Sequence, residues 1–267
     1  MKYGAAAAGM LAFALCGALP FRVAAADHAG YVPVPAGMFH STLSGPPDYA
    51  DVRVEAFAMR DDVVTNAEYL AFVRTHPEWR RGRAPAAFAD ANYLRRWAGP
   101  LDPGSEAQAR QPVTDISWFA AQAYCESEGA RLPTWYEWER VAAADATRFD
   151  ARQDPAWLAA ILAWYGRAES ALGVTGGAPN AYGVRDMHGL VWEWVDDFNS
   201  LLVSADSRNQ GDPDKLKFCG AGAISLQDRE NYAILMRVAL LSSLGAADTT
   251  NNLGFRCARS ANPLEER

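Results

Sequence analysis

From residue 30 onward, apolar and polar positions alternate in short stretches, and only a few windows carry helical periodicity. Residues 30–43 place Tyr31, Val32, Val34, Met38 and Phe39 around Pro33, Pro35 and Gly37, which predicts an opening strand pair. Residues 52–59 set Val52, Val54, Ala56 and Ala58 against Arg53, Glu55 and Phe57, the alternation of one further strand. Thr65-Asn66-Ala67-Glu68 has capping-box spacing and predicts a helix with Tyr69, Phe72 and Val73 on its inner side. Residues 76–110 are polar, arginine-rich and broken by Pro and Gly, a long surface excursion with a short helix near 90–97. Long ordered loops are often functional, but this one suggests no particular chemistry.

Two helices follow. The first spans 117–127, with Trp118, Ala121, Tyr124 and Cys125 inward and Gly129 closing it. The second starts at Pro133-Thr134-Trp135-Tyr136-Glu137 and runs to Ala144. Further along, the pattern predicts a helix over 155–165, a loop over 166–179 and a strand over 216–219. A helix over 228–235, a strand over 236–243 and a last strand over 253–259 complete it. With no linker-like break and no repeat, residues 27–267 read as one domain.

Between them lies Asn180–Asp197, which wraps two tryptophans around one glutamate after an Asn-Ala-Tyr-Gly turn and an Asp-Met-His-Gly turn. On a strand, Trp192 and Trp194 share one face and Glu193 takes the other. A carboxylate there, with Asp186 and loop carbonyls nearby, suits a hard cation. The competing reading is a buried aromatic hairpin whose Glu caps a turn.

The N-terminus changes the count of what folds. Lys2, the apolar run over residues 5–19 and Ala24-Ala25-Ala26 have the layout of a secretory signal ending near Ala26. The run is short for a membrane span, so a soluble exported protein with no stable membrane anchor is expected. Losing Lys2 and Arg22 with the signal takes the formal charge from −7 to −9, which argues against nucleic-acid partners and docking on anionic lipid. All nine tryptophans lie beyond residue 26 and point to a loop-rich fold with an aromatic core. Cys125, Cys219 and Cys257 remain. In an oxidising compartment they predict one disulfide and one leftover thiol, and spacing does not say which two pair.

Several blocks, in order, resemble the formylglycine-generating-enzyme (sulfatase-modifying-factor) family. They are residues 61–69 with Phe72, Pro112–Trp118, Ala123-Tyr124-Cys125, Arg131-Leu132-Pro133-Thr134 with Glu137-Trp138-Glu139, Asn180–Trp194 and Leu253–Ala258. Each is modest alone, and their order over roughly residues 31–259 makes the resemblance specific. It implies an α+β, variant C-type-lectin-like fold with much irregular structure. It also implies a disulfide between Cys125 and Cys257, with Cys219 left free. A structural Ca²⁺ is implied on Asp186, the carbonyls of Gly189 and Val191, and Glu193; a second calcium site has no counterpart over 166–179.

The resembled enzymes differ in the chemistry they mount on this scaffold. Sulfatase modifiers use a cysteine pair five residues apart that binds copper, and here no cysteine follows Gly220 until Cys257. A related branch holds iron with His-x-x-x-His-x-Glu, and no two of His28, His40, His76 and His188 have that spacing. No copper or iron site is therefore evident. His188 reads as a turn histidine bonded to backbone, and Gly220–Ser225 lacks the setting of a nucleotide loop.

The remaining likeness is to the branch without either metal motif, of PvdO and NirV type, in which an acidic side chain is thought to carry the chemistry. Candidates are Ser225, Asp228, Arg229, Glu230, Asn231, Tyr232, Arg237 and Asn252, with Asp228, Glu230 and Arg237 first as catalytic groups. A carboxylate with a raised pKa in an apolar cleft would serve as a base. The expected function is periplasmic or secreted oxidative maturation of a peptide-derived metabolite or protein partner. The alternative is a non-catalytic accessory protein for a periplasmic redox enzyme, of NirV type.

Overall fold

The computed structural model describes residues 1, 30–44, 51–165, 172–201 and 232–261. The signal-like segment, the 216–219 strand, Cys219, Asp228 and Glu230 lie outside the described residues. Strands β1 (Tyr31–Val34), β4 (Phe57–Arg60) and β7 (Ala258–Ser260) form an antiparallel sheet in the order β1-β4-β7. A second antiparallel pair joins β2 (Gly37–Phe39) to β3 (Val52–Val54), and a parallel pair joins β5 (Trp192–Glu193) to β6 (Leu253–Gly254). Six α-helices are described: α1 (Asn66–Thr75), α2 (Glu106–Ala109), α3 (Trp118–Ser127), α4 (Trp135–Ala142), α5 (Pro155–Tyr165) and α6 (Tyr232–Ser242).

The sequence pattern departs from the structure in several places, each because non-local pairing or burial decides; the last strand expected over 253–259, for one, is β6 in one sheet and β7 in another. The opening strands do not pair with each other, because each finds its partner further along the chain. Residues 52–59 are two strands in two sheets. Val54 faces inward, then Glu55 and Ala56 are both exposed, so the buried phase resumes at Phe57 and Met59 and not at Ala56 and Ala58. A one-residue slip of this kind exchanges the faces of everything after it. Residues 236–242 continue α6, residue 243 is in the turn after it, and no strand forms; Ile234, Val238 and Leu241 are buried at helical spacing, but flanking Leu and Ala hide that period.

Residues 91–97 also form turns and no helix. Tyr93 and Trp97 are buried four apart, as on a helix, while Leu94 takes a left-handed φ of 51° and gives its N–H to the carbonyl of Asp115, 2.9 Å away. The capping boxes form at Thr65/Glu68 and Thr134/Glu137 and start α1 and α4 where the sequence places them. Ser117 caps α3, and Gly129 follows it at φ 64°, the left-handed position glycine tolerates.

With so few long elements, aromatic packing does most of the filling. Tyr69, Phe72, Tyr124 and Phe255 meet with centroids 5.3–6.2 Å apart, and buried indole N–H groups find specific acceptors. Trp97 donates to Asn66 (2.7 Å), Trp194 to the carbonyl of Ile116 (2.8 Å) and Trp135 to Glu139 (2.8 Å). Cys125 of α3 is disulfide-bonded to Cys257, with Cα atoms 5.5 Å apart, tying a helix to the chain between β6 and β7. Gly254 has no room for a side chain, since a Cβ there would lie 2.8 Å from the carbonyl of Val113.

Candidate functional site

The parallel pairing of β5 with β6 brings the Trp-Glu-Trp segment beside Phe255-Arg256-Cys257. Glu193 points into the core and is fully buried, as is Arg256. Arg256 Nε donates to Glu193 Oε2 at 2.7 Å and Nη2 donates to Oε1 at 2.9 Å, while Trp138 Nε1 donates to Oε2 at 2.9 Å. The rest of the guanidinium is spent on carbonyls: Nη2 on Arg185 (3.0 Å), Nη1 on Arg60 (3.3 Å) and Asp61 (3.4 Å). All five guanidinium N–H groups are thus engaged.

Arg237 of α6 is 1% exposed. Its Cζ lies 3.4 Å from the centroid of Trp138, and its Nη2 donates to the carbonyl of Glu193. This position makes it a strut beneath the Trp-Glu-Trp segment; its two companion candidates, Asp228 and Glu230, are outside the described residues. His188 donates Nε2–H to the carbonyl of Ala142 at 2.8 Å, between the edge-on rings of Trp138 and Trp157. Burial first, then the nearby Arg237 charge, push its pKa down to about 4, so the ring is neutral near pH 7.

Asp186 is held by backbone donors. At a left-handed φ of 54°, its Oδ2 accepts the N–H groups of Gly176 (2.8 Å) and Gly177 (3.2 Å), and a Cβ at Gly177 would overlap it. The Asp186 carboxylate is in hydrogen-bond contact with that of Asp62. Burial, then that bond and the like charge of Asp186, push the Asp62 pKa up to about 6 against the opposing pull of Arg256. Of the four expected calcium donors, Glu193 is bonded to Arg256, and Asp186 to the N–H groups of Gly176 and Gly177. Gly189 is an exposed turn residue at φ 94°, and Val191 is buried. Among the described residues, no three His, Cys, Asp or Glu side chains are gathered at metal-holding distance.

The raised Asp62 pKa gives a signed prediction. The folded state binds this proton more tightly than the unfolded chain, so stability from Asp62 is greatest below about pH 4 and declines as pH rises through about 6. Asp62→Asn should remove that decline and gain melting temperature relative to wild type at pH 7 but not at pH 4. Equal differences at both pH values would contradict the carboxyl pair.

Three residues to which the sequence pattern assigns no role, Arg256, Trp138 and Asp62, thus shape the site. A signal for Arg256 was present: one arginine inside Leu-Gly-Phe-Arg-Cys-Ala and one glutamate inside Val-Trp-Glu-Trp-Val are both set in strongly apolar runs. Two such charges require each other if both are buried.

Residues 18–261 match the sulfatase-modifying factor enzyme 1-like domain. Among similar proteins is a formylglycine-generating enzyme of Streptomyces coelicolor, 32% identical, with 79% of this chain and 80% of that protein covered. A hercynine oxygenase of Mycolicibacterium smegmatis is also 32% identical, over 54% of this chain and 38% of its own. The solved structure of PvdO from Pseudomonas aeruginosa aligns over 86% of this chain and 94% of that one, with 19% identity and a TM-score of 0.44.

Proposed function

Because the chain belongs to the sulfatase-modifying factor enzyme 1-like family and has its α+β fold, we propose that it is an exported oxidative maturation protein acting without a copper–thiolate pair. Its substrate is a peptide-derived metabolite or a protein partner. The observation that carries this reading is the disulfide: Cys125 and Cys257 consume two of the three cysteines beyond residue 26, leaving Cys219 without a thiol to pair with on copper. The disulfide also favours an oxidising compartment, in keeping with the signal-like start. No described helix is long and apolar enough to cross a membrane.

The test is turnover by purified residues 27–267 with dioxygen and a panel of reduced peptide-derived metabolites. Asp228→Asn or Glu230→Gln should lower substrate-dependent oxygen uptake by about 100-fold, the scale of losing a positioned acid or base. No uptake above buffer, with stable capture of a partner protein, would transfer support to the accessory reading. One observation favours that second reading: Arg237, the described member of the three candidates, is built into the core by Trp138 and Glu193.

For a structural Ca²⁺ the donors fit in part. The carbonyls of Gly189 and Val191 take no hydrogen bond from another described residue, and the Asp62–Asp186 pair carries charge a divalent cation would neutralise. Glu193 keeps only its less-bonded oxygen, Oε1, for such an ion. Bound calcium would clamp the 172–191 loops. Glu193→Ala is a poor test, since it strands Arg256. Asp186→Asn is cleaner: chelator should lower the wild-type melting temperature and leave the variant unmoved, and a wild type indifferent to chelator would sink the calcium proposal.

A further inference from the structure

A cleft on the face bounded by α2 and the 96–114 stretch encloses about 470 Å³, within the size range of small-ligand sites. Asn66, Arg96, Trp97, Gln108, Gln111 and Thr114 contribute to its lining. Several of these polar groups are already spent. Asn66 accepts from Trp97 and donates to the carbonyls of Gln108 and Gln111; Gln108 accepts from Ser105, and Gln111 donates to the carbonyl of Leu172. These bonds hold the walls in place; the other end of each glutamine amide and one charged group remain for a ligand.

That group is Arg96, the one charged side chain among the described residues of the lining. It is 47% exposed and donates no hydrogen bond to a described residue; its nearest counter-charge, Asp115 Oδ2, stands 3.9 Å off, outside hydrogen-bond distance. Asp115 is buried, and its Oδ2 has no hydrogen-bond partner, so it anchors the arginine electrostatically without using up its donors. The surrounding stretch is basic in an acidic protein: residues 74–110 hold seven arginines against four acids, while the whole chain carries −7.

We propose that this cleft binds a short peptide-like ligand that presents a carboxylate to the Arg96 guanidinium. The planar fork of donors matches a carboxylate in two parallel bonds. The groups of the two glutamines that hold no wall, Gln108 Nε2 and Gln111 Oε1, remain to meet a peptide backbone. A single lining cation favours a monoanion over a phosphate dianion. This recognition is needed equally by an enzyme and by a carrier, and its assay reads binding alone, so its failure would leave the oxidative reading untouched.

The test is calorimetric titration of residues 27–267 with acetyl-Ala-Phe-Ala as the free acid, the same peptide as its carboxamide, and inorganic phosphate. The free acid should bind at least about ten-fold more tightly than the carboxamide, and Arg96→Gln should erase that preference, as expected for loss of a charge-assisted pair. Arg95→Gln, one residue away and outside the lining, should keep it. The proposal is overturned if neither peptide binds at millimolar concentration, if phosphate matches the free acid, or if the Arg95 and Arg96 variants weaken binding alike. Exposed Arg96 can be replaced without loss of fold, which unchanged circular dichroism would verify.

Discussion

Replacing Glu193 with alanine is expected to lower folding stability by about 3–5 kcal/mol, the usual cost of leaving one partner of a buried ion pair alone. Glu193 and Arg256 are both fully buried, and their two-pronged contact is closed by Trp138. Arg256→Met should cost a similar amount by stranding the carboxylate. The double variant Glu193→Leu/Arg256→Met should cost clearly less than the sum, because no buried charge then remains unpaired. Urea-unfolding midpoints measure all three. Single replacements costing under about 1 kcal/mol would mean that solvent reaches the pair and that Glu193 and Arg256 do not form a buried ion pair.

The second large effect is expected from the disulfide. Cys125 and Cys257 are 132 residues apart, and a loop of that length gives a cross-link worth about 2–5 kcal/mol, most of it from restricting the unfolded chain. Cys125→Ala/Cys257→Ala should therefore unfold at a markedly lower urea concentration while keeping its native circular dichroism. Titration of denatured, unreduced residues 27–267 should find one thiol per chain, that of Cys219. Three thiols, or a variant as stable as wild type, would contradict the cross-link.

These two features show what the sequence made visible and what it hid. The helix starts at Thr65 and Thr134 were legible because a capping box is a local contract between four consecutive residues. The strand pairings were not, because β4 meets β1 across a break in the pattern and meets β7 from the far end of the chain, as in Phe57 opposite Ser260, and no local pattern encodes a partner. The slip between Val54 and Phe57 and the all-round apolar character of α6 defeated periodicity for the same reason: tertiary burial, not local spacing, chose the faces.

At the candidate site, Asn180–Asp197 stood out by composition, but the direction of Glu193 did not. Alternation places it opposite the tryptophans without saying that its face is buried too, or that Arg256 waits there. Likewise, Asp186 was visible as a carboxylate beside a turn. Its meeting with Asp62 depends on a non-local approach, marked by the hydrogen bond from Arg185 N–H to the carbonyl of Asp61, 2.7 Å long.

The claim that the family's oxidative role survives here without paired thiols is tested most directly by oxygen uptake of residues 27–267 with copper chelated, beside Cys219→Ser. Substrate-dependent uptake unchanged by either treatment is the predicted result. Uptake that requires added copper and disappears in Cys219→Ser would contradict it.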